Sequence, residues 1–197
     1  MARIALVYGT AEGQTGRIAA FLGESIRAYG SDVDIVDLKR SDLPRLEDYD
    51  GVIVGASIHM GKHEGYVADF VRRNRAVMDR LPSAFFSVSL AAHGDVDNAE
   101  RYVEEFEMET GWRPGRVAMF GGALLYTQYG FVKRRVLRKI AKDKGNLATD
   151  TSRDWVYTEW DGVTRFAEDL LRDVEPAGTP RTPDRTTAAS VPTDPRI

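Results

Sequence analysis

Apolar residues recur along this chain in two alternating rhythms. The run from Arg3 to Tyr8 (RIALVY) is almost unbroken, as in a parallel strand covered on both faces. From Gln14 to Tyr29 the spacing changes, and Ile18, Ala19, Leu22 and Ile26 fall on one helical stripe that stops at Gly30. The alternation then repeats. Strands are predicted at Val33–Leu38, Gly51–Ser57, Ala84–Leu90 and Arg116–Leu125, and helices at Tyr66–Leu81, Ala99–Thr110 and Asp161–Val174. Thr158, three residues before Asp161, is placed to cap the last helix.

Strands alternating with helices build βαβ units, so the expected class is α/β with a doubly wound parallel sheet. Five strands favour the flavodoxin-like order 2-1-3-4-5 over a six-stranded dinucleotide fold. Between the fifth strand and the last helix, residues 126–155 form an insertion that a minimal fold of this kind does not need, and long insertions are usually functional. A domain over 1–174 is expected. Residues 175–197 hold five of the eight prolines with almost no large apolar side chain, which reads as a disordered tail.

Composition narrows the chemistry. The chain has no cysteine, which excludes disulfides, thiolate metal sites and a cysteine nucleophile. Its only histidines are His59, His63 and His93, without metalloprotease spacing, so redox chemistry would need an organic cofactor. The first apolar run ends at Tyr8, too short for a signal peptide. The longest later one, Val117–Tyr126, is about half the roughly 20 residues of a membrane span. A cytoplasmic chain is expected. Net charge is −3, yet Tyr126 to Gly145 carries seven basic residues against one acid. The expected helix from Phe131 to Lys144 gathers Val132, Val136, Leu137, Ile140 and Ala141 on one side and Arg134, Arg135, Arg138, Lys139 and Lys142 on the other. That basic side suits an anionic membrane surface or a carboxylate-bearing substrate, the alternative being a solvated face. No aromatic interleaving points to nucleic acid.

In an open parallel sheet the ligand sits beyond the carboxyl ends of the strands. Three loops leave that edge. Gly9–Thr15 (GTAEGQT) offers glycines, threonine hydroxyls and helix N-terminal amides, a set that suits phosphate, although it is neither a Walker A loop nor the GxGxxG fingerprint. Ala56–His63 (ASIHMGKH) and Ser89–Asp95 (SLAAHGD) contain small residues that let the backbone approach a flat ring, and they carry all three histidines. A phosphoacceptor receiver domain is excluded, because its third strand would end in aspartate rather than Gly55, Ala56 and Ser57.

The motifs GTAEGQT, YDGVIVGASIHMGKH, LPSAFFSVSLAA, WRP, GGALLY and VYTEW resemble, in order over about 1–174, the flavodoxin-type menaquinone-dependent protoporphyrinogen IX dehydrogenases of bacteria. The resemblance implies FMN as cofactor, protoporphyrinogen IX as substrate, oxidised to protoporphyrin IX in haem biosynthesis, and menaquinone or another respiratory quinone as acceptor. It implies that Thr10, Ala11, Glu12, Gly13, Gln14 and Thr15 take the phosphate; the Glu12 carboxylate would repel a phosphate dianion unless its side chain turned to solvent, but the family tolerates an acid there. Ser57, Ile58, Met60, Gly61, Ser89, Leu90, Ala91 and Ala92 would frame the isoalloxazine. The second and third loops have none of the Trp and Tyr with which shuttle flavodoxins clamp their flavin, leaving a face that Tyr126 and Tyr129 could cover. The basic helix then becomes a candidate contact for an anionic porphyrin or for the inner face of the cell membrane. The candidates for a proton-transferring residue are His59, His63 and His93. Alternative functions are a quinone reductase using NAD(P)H and a non-catalytic electron carrier.

Overall fold

The structure is a computed structural model and describes residues 1–41 and 45–174. The expected tail, 175–197, lies outside the described residues. The strands are β1 (Arg3–Gly9), β2 (Asp32–Asp37), β3 (Gly51–His59), β4 (Lys62–His63), β5 (Ser83–Ser89), β6 (Arg116–Gly121), β7 (Ala123–Leu124) and β8 (Trp155–Val156). The helices are α1 (Gln14–Ala28), α2 (Gly65–Met78), α3 (Val96–Thr110), α4 (Phe131–Lys144) and α5 (Trp160–Val174). Five strands run parallel in the order β2-β1-β3-β5-β6, the 2-1-3-4-5 arrangement read from the sequence.

The near-continuous apolar strands have the expected cause. Alternate residues of each strand point to opposite faces, and both faces are covered. Ile4, Leu6, Ile53 and Phe86 pack under α1 and α5, against Ile18, Leu22, Val163, Phe166 and Leu170. Ala5, Val7, Val54 and Phe85 pack under α2 and α3, against Val67, Val71, Phe106 and the fully buried Trp112. At about 1.5–3 kcal/mol per buried large apolar side chain, these two layers dominate the folding free energy.

Two sequence expectations are corrected at the fifth strand. The run Arg116–Leu125 is not one strand: β6 ends at Gly121, and Ala123–Leu124 turns away to pair antiparallel with Trp155–Val156. At the break the backbones approach closely enough to require glycine, since a Cβ at Gly121 would lie 2.3 Å from the carbonyl oxygen of Tyr157. Nor does Thr158 cap α5, which begins at Trp160 with Glu159 accepting the first amide bonds. The Thr158 hydroxyl instead donates to the Gly121 carbonyl at 2.6 Å and accepts from Gln14 Nε2 at 2.9 Å. It thereby ties the β6 end to the start of α1.

A third, smaller apolar cluster lies beside the sheet. Leu124, Leu125, Tyr126, Tyr129 and Leu147 bury together with Ala141, the one fully buried residue of α4. Helix α4 is therefore held against the domain by a narrow strip.

Candidate functional site

The first loop is built around hydrogen bonds that hold it open. Gly13, the residue before α1, is left-handed at φ 95°, and its amide donates to Thr10 Oγ1 at 2.9 Å. Thr10 N donates to Tyr66 Oη, and Ala11 N donates to Ser57 Oγ at 3.2 Å, joining the first loop to the end of β3. The first-turn amides of α1 have no acceptor within the helix. Beside them Thr15 Oγ1 and Gln14 Oε1 are buried without a hydrogen-bond partner. Buried polar atoms are nearly always partnered, so this loop has the form of a place for a polar ligand.

The second loop is a hairpin instead of an irregular loop. β3 continues to His59, and His59 pairs with Lys62 across a two-residue turn. Met60 and Gly61 both take positive φ, 51° and 83°, as a primed hairpin turn requires. Met60 stands at the tip, 92% exposed. The third loop is shaped by Ala92 N donating to Ser89 Oγ at 3.1 Å, and Gly122 N bonds to the Ser89 carbonyl at 3.0 Å.

These loops enclose a cleft of about 590 Å³ at the carboxyl ends of the strands. Helix α4 forms its remaining wall. Lys133, Val136, Leu137, Ile140 and Lys144 line the space, with Tyr129 before them and Tyr102 from α3. Both ends of the helix are pinned to the loops. Lys133 Nζ lies 2.6 Å from Glu12 Oε1 in the first loop, and Lys144 Nζ lies 2.9 Å from Asp95 Oδ2 at the end of the third. Asn146 donates to the His93 carbonyl.

Residues 5–152 match the flavodoxin-domain family. The chain is 34% identical over 168 residues to the Escherichia coli strain K12 protein named protoporphyrinogen IX dehydrogenase (quinone), covering 84% of this chain and 92% of that one. The chain belongs to the flavodoxin-type protoporphyrinogen IX dehydrogenase family. A Leishmania major protein of the same name is 35% identical over 170 residues, 84% of this chain and 73% of its own. In fold the chain is similar to a short-chain flavodoxin associated with a PDU bacterial microcompartment, with TM-score 0.56 and 15% identity, over 89% of this chain and all of the other.

Of the residues that the family resemblance assigned to the cofactor, all but Gly13 and Ala92 line the cleft. The tyrosines divide. Tyr126 is fully buried, its hydroxyl donating to the Ala148 carbonyl at 2.9 Å, so it packs the third cluster and covers nothing in the cleft. Tyr129 does line it, and its hydroxyl donates to Glu12 while accepting from Leu125 N. Burial and the Glu12 carboxylate together raise the Tyr129 phenol well above its ordinary pKa. Glu12 is half-buried, turned toward Tyr129 and Lys133.

The histidines divide as well. His63 points away from the cleft, between Phe85 and Phe106, sharing a 2.9 Å hydrogen bond with Ser87 Oγ. Desolvation lowers its pKa to about 4, which favours the neutral ring at this half-buried position. His93 stacks on Tyr157 with ring centroids 4.4 Å apart and lies outside the cleft lining. His59 is exposed and lines the cleft.

The basic residues singled out from the sequence, Arg134, Arg135, Arg138, Lys139 and Lys142, do not line the cleft; Lys133 and Lys144 do. The reason is rotational. Positions 133, 136, 137, 140 and 144 form one helical stripe, and the other five basic residues project elsewhere. That stripe was the available sequence signal, and it is also why Val136 and Ile140 remain exposed instead of packing as the apolar underside of α4.

Proposed function

We propose that this chain is an FMN-dependent oxidoreductase that converts protoporphyrinogen IX to protoporphyrin IX and delivers the electrons to a quinone. The observation that carries the reading is the cleft itself. It opens at the strand ends of a chain one-third identical to enzymes of that name, and its first loop buries Thr15 Oγ1 and Gln14 Oε1 without a partner.

In this reading the first loop, Thr10 to Thr15, holds the phosphate of FMN. Ser57, Ile58, Met60 and Gly61 on one side, with Ser89, Leu90 and Ala91 on the other, hold the ring system. When bound, FMN supplies a hydride acceptor for the porphyrinogen and a donor to the quinone. The chain's own residues bind, orient and exclude water. Val136, Leu137 and Ile140 give a porphyrinogen an apolar wall. His59, at the lip, is the histidine positioned to accept a proton.

Among the described residues no helix is long and apolar enough to cross a membrane. An interfacial role for α4 fits better. Phe131 and Val132 are each 75% exposed. On a helical wheel they share one arc with Arg135, Arg138, Lys139 and Lys142, opposite the cleft stripe. Such an arc suits peripheral contact with an anionic membrane that carries a dissolved quinone, on the cytoplasmic face. The testing experiment loads the protein with FMN and follows porphyrin formation anaerobically with a menaquinone analogue. Turnover that depends on both FMN and quinone is expected. A flavin-loaded protein that leaves protoporphyrinogen unoxidised would refute the assignment.

A further inference from the structure

The acid in the first loop is the feature of the cleft that electrostatics disfavours. A phosphate dianion held by residues 10–15 has the Glu12 carboxylate beside it, and like charges in a partly desolvated site repel. The chain meets this with residues more than a hundred positions away. Glu12 Oε1 lies 2.6 Å from Lys133 Nζ, and Glu12 Oε2 accepts the Tyr129 hydroxyl. The Lys133 ammonium also sits 4.3 Å from the centre of the Tyr129 ring. Glu12, Lys133 and Tyr129 all line the cleft. The cation is thus fixed by a carboxylate and a ring face together, which orders it better than a lone surface pair would.

We propose that Lys133, seated by Tyr129, neutralises Glu12 and so sets the preference of this chain for a flavin that carries a phosphate over one that does not. The proposal rests on the FMN reading. It makes Lys133 a specificity determinant, acting on the phosphate end of the ligand through Glu12. Were Lys133 absent, the uncompensated carboxylate would oppose phosphate binding and leave the uncharged flavin ring system unaffected. Were both charges absent, the opposition would vanish.

The test measures dissociation constants of the full chain for FMN and for riboflavin by flavin fluorescence. The proteins are the unsubstituted chain, Lys133→Gln, Lys133→Arg, Glu12→Gln and the double variant Glu12→Gln/Lys133→Gln. Lys133→Gln is expected to weaken FMN about tenfold while changing riboflavin less than about twofold, with the FMN loss shrinking as salt screens the charge. Lys133→Arg is expected to keep the original ratio, and the double variant to recover it. Equal weakening of both flavins by Lys133→Gln would show that Lys133 only seats α4, and overturn the proposal. A double variant still weak for FMN would mean that Lys133 contacts the phosphate directly, which also overturns it. If the unsubstituted chain binds neither flavin, the FMN reading itself fails, a result distinct from either.

Discussion

His63 makes one side-chain hydrogen bond, with Ser87, and otherwise touches the rings of Phe85 and Phe106. Its pKa falls from 6.5 to about 4 because burial penalises the imidazolium. Between those values the unfolded chain binds a proton that the folded chain does not, so stability rises with pH across the window. It is fully present above about 6.5 and is lost as pH falls toward 4, by up to about 3 kcal/mol if the whole shift is realised. His63→Phe, which keeps the aromatic packing, is expected to remove most of this dependence. Chemical denaturation at pH 7 and pH 5 checks it: the unsubstituted chain should lose more stability between the two than the variant. At the residue scale the sequence located the histidines in two loops, yet could not say which way each ring points. His63 lies on β4, in a hairpin whose pairing turns its ring toward Phe85 and Phe106 and leaves His59 at the lip. Glu12 was illegible for a similar reason, since its partners, Tyr129 before α4 and Lys133 on it, are brought near only by tertiary structure.

Among the helices, α4 is the least secured by burial. Ala141 is its only fully buried residue, and its ends are tied to the loops by Lys133–Glu12 and Lys144–Asp95. Partly exposed ion pairs weaken in salt, while apolar packing does not. Hydrogen exchange should therefore be faster in α4 than in α1 or α5, and raising salt should speed it in α4 selectively. Equal, salt-independent protection across the three helices would contradict this picture. The main strands and helices were legible because each carries a long apolar pattern: the run in β1 and the stripe Ile18, Ala19, Leu22 and Ile26 in α1 each leave one reading. The β7–β8 pair was not, since two-residue strands carry no periodicity and their pairing joins distant segments of the chain. The amphipathic character of α4 was legible too, but its rotation was not. Counting charges favoured the side with more cations, whereas the fold turns the stripe from Lys133 to Lys144 into the cleft.

Across the whole molecule, the near-neutral net charge of −3 conceals a division of labour within the basic segment. Lys133 and Lys144 are spent on Glu12 and Asp95, while Arg134, Arg135, Arg138, Lys139 and Lys142 make no ion pair among the described residues. The sheet, the three loops and α4 together make one cleft with a polar end at Thr15 and an apolar wall at Val136, Leu137 and Ile140. The central claim is that this cleft holds FMN and exchanges electrons there with a porphyrinogen and a quinone. Its most direct test is the visible absorption of the FMN-loaded protein, recorded anaerobically as protoporphyrinogen IX and then a quinone are added. The expected result is bleaching of the flavin band as porphyrin forms, and its return on adding quinone. A flavin band unchanged by protoporphyrinogen would contradict the account.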